Sequence, residues 1–378
     1  MTLLTEDQTL IRDTARSYAD DVLAPGAAAR EAQREIEPEV RSALGQLGFL
    51  GMTIDPEFGG AGADYVSYAL ALEELARGDG SVSTMVSVHN APFLAILERF
   101  ATDAQKQDWL VPAAQGAFIG CFALTEAHAG SDASAIRTRA EKRNDRYVIT
   151  GSKQFISSAR IGGATILFAV TDPAAGKRGI SAFYAPQDST GFTVAKVEEK
   201  LGQKASDTCA LSFDAMELPI ENRIGEEGEG YRIALSSLEA GRIGIAAQSV
   251  GMAQSAFDHA LAYARDRQSM GQPLFDHQAV QFRLAEMETQ VEAARQLVLN
   301  AARMKDAGMP CLREAAMAKL FASEMAEQVC SAAIQVFGGY GYLSEYPVER
   351  IYRDVRVCQI YEGTSDIQKI IIGRQMPG

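Results

Sequence analysis

The chain has 378 residues, 47% of them hydrophobic, enough for two or three packed regions and unlike the composition of a disordered protein. Its formal charge of −13, from 36 basic and 49 acidic residues, excludes a surface built to neutralise nucleic-acid phosphates or an anionic membrane, although local arginines suffice for a small anionic ligand. No apolar run reaches the roughly 18 residues of a membrane span, and the opening stretch MTLLTEDQTLIRDTARSYADD lacks a basic region followed by an apolar core, so a cytoplasmic location is expected.

Reading along the chain, Thr5 and Gln8 have the spacing of a capping box, and Leu10, Ile11, Thr14, Ala15, Tyr18 and Val22 fall on one helical face until Pro25 is expected to stop the run. Further helices are expected at 38–47, with Pro38 in the first turn and Gly48 at the end, and at 64–77 and 90–100. Between about 118 and 225 the pattern changes to short β-type runs (FIGCFALT, RYVITGSKQFIS, ATILFAVTD, ISAFYAP, ALSFDAMELP) divided by turn residues. The helical period returns in long segments at about 231–265, 277–306 and 312–336, which suit a bundle. This order predicts an α+β subunit: an N-terminal helical domain at 1–117, a middle antiparallel β domain at 118–229 and a C-terminal helical domain at 230–378.

The glycine runs GEEGEG and FGGYGY sit in no strand–turn–helix unit, so neither reads as a nucleotide loop of the Rossmann or P-loop kind. The five cysteines (Cys121, Cys209, Cys311, Cys330, Cys358) form no CxxC pair, and the four histidines (His89, His128, His259, His277) no metal-ligand spacing; a dithiol centre and a metal site are not expected. The segment CFALTEAHAGSDAS at 121–134 leaves a β run for a loop whose N–H groups and Thr125 and Ser131 hydroxyls suit a ring system or pyrophosphate; a ligand-free polar loop is the bland alternative. In QIYEGTSDIQKIIIGRQ, Glu362 stands between Tyr361 and Gly363 among isoleucines, either as a solvated residue near a helix start or as a buried acid whose ionisation costs several kcal/mol.

CFALTEAHAGSDAS, KQFISSA, LEAGRIGIAAQSVGMAQ, RQSMGQPLFDHQAVQ, QVFGGYGY and YRDVRVCQIYEGTSDIQ occur together and in order over nearly the whole chain. In this the chain resembles the acyl-CoA dehydrogenases, and most nearly their short-chain and short-branched-chain members, which work in fatty acid β-oxidation and branched-chain amino acid catabolism. The resemblance implies an FAD-dependent oxidoreductase that removes the α-proton of an acyl-CoA as the β-hydrogen leaves as hydride, giving the trans-2-enoyl-CoA. Glu362 matches the catalytic base, with its own N–H and an FAD hydroxyl at the thioester oxygen. Noncovalent FAD is implied near Phe122, Leu124, Thr125, Gly130, Ser131, Phe155, Ile156 and Ser157, completed by Thr364, Ser365, Asp366 and Gln368. Arg267, Gln278, Gln335, Gly338 and Gly339 match residues that reach a neighbouring subunit's FAD, which implies a homotetramer, a dimer of dimers. Ser131, Glu239, Gly241, Arg242, Tyr361 and Gly363 match the acyl-CoA site, and electron transfer flavoprotein is the implied electron acceptor.

The sequence departs from the family at Ala127-His128, Phe155, Ser157 and Met270. Ser157 keeps a hydroxyl and Phe155 an aromatic face, and His128 is read as a loop residue with no catalytic role. Some relatives place the base at the position of Gly241; Glu239, two residues earlier, would be turned about 200° away on a helix. Arg242 has an alternative as an ion-pair partner within the bundle. A flavin oxidase or monooxygenase on the same scaffold is the competing enzyme class, and a non-catalytic binding protein ranks last because the chain is acidic.

Overall fold

The computed structural model describes residues 4–376. Its first part is helical: α1 (Glu6–Tyr18), α2 (Ala24–Gln33), α3 (Pro38–Gln46), α4 (Tyr65–Gly78), α5 (Gly80–Val88), α6 (Ala95–Phe100), α7 (Asp103–Gln105) and α8 (Val111–Ala114). Local chemistry sets the starts. The Thr5 hydroxyl accepts from the Gln8 N–H and the Gln8 side-chain oxygen from the Thr5 N–H, both at 3.1 Å, while Asp64 caps α4 through the Ser67 N–H at 2.7 Å.

Pro25 does not stop the first run. The backbone widens into a π-helical turn at Ala19–Leu23, and Pro25 falls in the first turn of α2, where a missing N–H is no loss. The buried face is therefore Ala15, Ala19 and Leu23, whereas Leu10 and Val22 are exposed. Helix α5, with the serine-rich sequence GSVSTMVSV, has no counterpart among the expected helices because it is buried nearly all round and shows no amphipathic period.

The middle strands are β1 (Gly120–Ala123), β2 (Arg139–Arg143), β3 (Arg146–Ser157), β4 (Ala164–Val170), β5 (Ile180–Pro186), β6 (Phe192–Val197), β7 (Thr208–Pro219) and β8 (Arg223–Ile224). They form one sheet in the order β6-β7-β3-β2-β4-β5-β8, with β1 beside β4. Pairing is antiparallel except for β1 with β4 and a single parallel contact of β2 with β4. Strands β2 and β6 escape the sequence pattern because their side chains are mostly exposed and polar. A register shift between Lys153 and Ile156 bulges the end of β3 and turns Phe155 outward at φ +60.

The chain then enters α9 (Gly230–Asp266), a hairpin of β9 (Gln268–Ser269) and β10 (Gln272–Pro273), α10 (Gln278–Asp306), α11 (Leu312–Phe337), α12 (Pro347–Val355) and α13 (Ser365–Arg374). Helix α9 is the axis of the molecule, packed against α4, α10 and α11. Its Ile243, Ala246 and Val250 share a core with Leu72 and Leu75 of α4 and Ala322 and Val329 of α11, so the two helical regions are packed as one. All five cysteines are buried and unpaired by disulfides. Among the described residues no helix is long and apolar enough to cross a membrane, and no group of three or more acidic, His or Cys side chains is placed to hold a metal.

Loop 124–138 is stapled to β3. The buried Lys153 ammonium donates to Leu124 O and Glu126 Oε1, both at 2.9 Å, and Glu126 accepts from the Arg137 and Thr138 N–H groups at 2.7 and 2.9 Å. Burial raises the Glu126 pKa, but the Lys153 charge and these hydrogen bonds outweigh it and hold the carboxyl below the usual range. Lys153→Met strands a buried carboxylate and is expected to destabilise the protein by about 3–5 kcal/mol in urea unfolding near pH 7. Because the folded pKa of Glu126 is depressed, that difference should shrink as the pH falls through it.

Candidate active site

Tyr361, Glu362 and Gly363 form the turn between a 3₁₀ segment at Arg356–Gln359 and α13. Glu362 lies in the left-handed region at φ +54, a conformation that costs a non-glycine residue on the order of 1–3 kcal/mol and persists only where surroundings enforce it. Three helices do so. Lys319 of α11 donates to Gly363 O at 2.7 Å, Gln368 of α13 donates to Gly363 O at 2.8 Å and Glu362 O at 3.2 Å, and the Tyr361 hydroxyl donates to Gln248 Oε1 of α9 at 3.0 Å.

The turn aims the Glu362 carboxyl at α9. A Cβ built on Gly241 would stand 1.9 Å from Glu362 Oε2, so only glycine leaves room for the acid at that point. Burial pushes the Glu362 pKa up to about 7, against the lowering effect of the Arg242 and Lys319 charges. Its Oε2 has no hydrogen-bond partner among the described residues, and the same holds for Ser365 Oγ and Gln368 Oε1 beside it and for Arg242 Nε on α9. Buried polar atoms are normally paired, so several orphans around one turn leave donors and acceptors open there to water or a ligand. A desolvated carboxyl with a near-neutral pKa has the properties of a general base.

Neighbouring candidates separate cleanly. Glu239 is engaged elsewhere, accepting from Lys305 Nζ of α10 at 3.2 Å. Arg242 is buried, and desolvation lowers its pKa, with Glu362 and then Glu239 opposing; it makes no direct ion pair among the described residues. His128 sits in its loop with Nε2 3.2 Å from Ala135 O.

The three family profiles for acyl-CoA dehydrogenases match in register: the N-terminal domain at residues 5–117, the middle domain at 121–216 and the C-terminal domain at 228–376. The short-chain specific acyl-CoA dehydrogenase of Clostridium acetobutylicum is 43% identical over 98% of this chain and 97% of its own. Butyryl-CoA dehydrogenase from Megasphaera elsdenii superposes with a TM-score of 0.97 at 40% identity, covering 99% of both chains. A chain in a structure of the electron transferring flavoprotein of Acidaminococcus fermentans, studied for flavin-based electron bifurcation, gives 0.97 at 41% identity over 99% of this chain and 98% of that one. The chain belongs to the acyl-CoA dehydrogenase family.

An acyl-CoA dehydrogenase is an FAD-dependent oxidoreductase acting on acyl-CoA, and the residues singled out for FAD in this one fall into three groups. Thr125 O accepts from the Gln154 N–H at 2.9 Å, which sets Phe122, Leu124 and Thr125 beside Phe155, Ile156 and Ser157. Within that group Phe155 is 62% exposed and free to face a ring, whereas Leu124 and Ile156 are core residues that offer a ligand only backbone. Gly130 and Ser131 lie exposed farther along the same loop.

In the second group, Arg267, Gly338 and Gly339 line a cavity of about 430 Å³ with Tyr263, Phe337 and Tyr340. A Cβ on either glycine would enter empty space, so the backbone there is open to a ligand, and this region and the outward Phe155 fit a dinucleotide flavin. Gln335 lines a separate groove of about 630 Å³ with Arg283 and Gln359, and Gln278 opens α10 outside both linings. In the third group Thr364 caps α13, Asp366 is exposed, and Gln368 is fully buried holding the turn at Glu362. Sequence reasoning misses Lys319; its one signal is a lone lysine inside the apolar run AAMAKLFA.

Gly241→Ala should displace the Glu362 carboxyl without harming α9, since alanine favours a helix. Substrate-driven flavin reduction is expected to fall by about 10²-fold, the scale of a misplaced group, with the melting temperature within a few degrees of the parent by calorimetry.

Proposed function

We propose that this acyl-CoA dehydrogenase acts on short-chain acyl-CoA thioesters, straight or branched, and that Glu362 is its base. The observation that supports this most is the buried, unpartnered carboxyl, raised to about 7 and fitted against Gly241. FAD, when bound, supplies the acceptor for the β-hydride. Glu362 Oε2 takes the α-proton, the C–H electron pair moves into the new Cα–Cβ double bond, and the β-hydrogen leaves with its own pair. The Glu362 N–H makes no hydrogen bond among the described residues and is assigned to the thioester oxygen, where charge develops. Arg242 and Ser131 are assigned to the acyl-CoA. Tyr361, Gly363 and Gly241 shape the wall around the acyl chain, and Glu239, held by Lys305, fixes the start of that wall.

The short chain length is supported by the names of the Clostridium and Megasphaera relatives. A panel of acyl-CoAs from about C4 to C12 decides it, because one methylene changes pocket affinity by only about 1–3 kcal/mol; a preference for branched substrates would favour amino-acid catabolism over fatty acid β-oxidation. Electron transfer flavoprotein is the proposed acceptor, a reading supported by the Acidaminococcus relative. Turnover in air alone at the carrier-linked rate would favour an oxidase instead. A cytoplasmic location goes with this reading and is checked by fractionation.

Glu362→Gln keeps the shape and removes the basicity. Anaerobic flavin bleaching by butyryl-CoA is expected to slow by about 10²–10⁴ while FAD content and acyl-CoA affinity survive. Only the carboxylate can accept the proton, so the parental rate should rise with pH through about 7 and the variant should lose that limb. Parental bleaching in Glu362→Gln at every pH would leave Glu362 a structural acid.

A homotetramer is proposed because Arg267, Gln278 and the Gln335–Gly339 run match residues that reach a neighbouring subunit's FAD, and Met270, on the β9–β10 hairpin tip beside Arg267 in sequence, is 95% exposed. Arg267→Ala is expected to lower both FAD retention and assembly, read by flavin absorbance and light scattering. A parental protein that is monomeric and fully flavinated would rule the proposal out.

A further inference from the structure

We propose that Lys319 is a positioning residue for the base: from α11 its ammonium ties down the turn that carries Glu362 and supplies one of the two positive charges facing that carboxyl. The inference rests on the reading of Glu362 as the base. Lys319 is 0% exposed, set in a helix face of Ala315, Ala316, Ala318 and Ala322 that is also fully buried. Its Nζ donates to Gly363 O at 2.7 Å and makes no ion pair among the described residues. An ammonium buried among alanines is costly, and the offsets are Cys358, the hydrogen bond to Gly363 O and the nearby Glu362 carboxylate.

Hydrogen bonding alone does not account for a lysine here. Gln368 already donates to the same carbonyl at 2.8 Å, so a neutral group holds the turn from α13. What Lys319 adds is a positive charge, fully buried and hydrogen-bonded to the residue next to Glu362. The groups facing Glu362 are Arg242 of α9, Lys319 of α11 and the Tyr68 hydroxyl of α4; Lys319 in turn faces Cys358 and Glu362 of the turn region, Arg242 and Glu324. On α13, Asp366 and Lys369 are solvent-exposed and lie 3.9 Å from each other.

Burial pushes Lys319 down and Glu362 up, and each charge opposes that shift in the other, so the charged ammonium and the carboxylate support one another. The sign follows. The Lys319 charge favours the carboxylate, so removing it raises the Glu362 pKa and moves the ascending limb of the pH–rate profile upward.

Two variants separate charge from tether in the FAD-loaded enzyme. Lys319→Gln retains an N–H donor for Gly363 O and discards the charge; Lys319→Met discards both. Glu362 is read in two ways: by the pH dependence of flavin reduction with butyryl-CoA, and, independently of turnover, by the infrared carboxyl C=O band that disappears in Glu362→Gln. Lys319→Gln is expected to shift both midpoints up by about one unit or more, costing about tenfold in rate below pH 7, with the high-pH plateau and KM within about threefold of the parent. Lys319→Met should show the same shift and a plateau lowered by a further factor of about ten. Midpoints unmoved in folded, flavinated Lys319→Gln overturn the proposal, and so does a Lys319→Gln chain that cannot fold, because Lys319 is then a packing residue. Failure of the underlying reading is seen separately, as parental bleaching in Glu362→Gln.

Discussion

Everything in this protein turns on keeping one ionisable carboxyl out of water without neutralising it completely. Glu362 sits half-buried in a left-handed turn, its Oε2 buried and unpartnered among the described residues, and desolvation pulls its pKa up toward neutrality while Arg242 and Lys319 pull it back. A raised carboxyl pKa means that the folded chain binds the proton more tightly than the unfolded chain. The stability contributed by Glu362 therefore declines as the pH rises from the ordinary carboxylate range through about 7, the same interval in which the carboxyl loses its proton. Stability and basicity oppose each other at this residue, and the rest of the fold must hold the turn against both strain and ionisation.

That holding is distributed over the whole chain. From Tyr361 a hydrogen-bond chain runs to Gln248 at 3.0 Å, on to Thr84 at 2.7 Å and to Gln203 at 2.6 Å, and the Gln203 amide reaches Asp354 O at 3.1 Å. It passes from the Glu362 turn through α9 and α5 to the segment between β6 and β7, then to α12, so all three regions of the chain set the orientation of one ring beside Glu362. Helix α9 contributes twice, through Gln248 on the hydrogen-bond chain and through the missing side chain of Gly241. The loop bearing Thr125 and Ser131 is held separately, by the Lys153–Glu126 pair against β3.

Much of this architecture is legible in the amino-acid sequence. The capping box at Thr5, the strands over RYVITGSKQFIS and ISAFYAP and the three long C-terminal helices follow from local hydrogen-bonding chemistry and from side-chain periods of about 3.6 and 2. Elements without a period are not: α5, buried nearly all round, and β2 and β6, mostly solvated, give no contrast between faces. Pro25 misleads for a related reason, since a proline reads as a stop unless one knows that a π-turn has just opened the backbone in front of it.

The sequence by itself determined the three-part order of helices, strands and helices, through side-chain period, and the family, through motifs that occur together and in order; it also singled out Glu362 as the acid to examine. Tertiary structure alone decided what that acid can do. That Glu362 is desolvated, that Gly241 lies against its carboxyl 121 positions earlier in the chain, that Glu239 is spent on Lys305 and that a lysine buried on α11 faces the turn are all consequences of how α9, α11 and α13 pack. A pKa depends on the dielectric and the charges within a few ångströms, and those neighbours are brought together by folding, not by proximity along the chain.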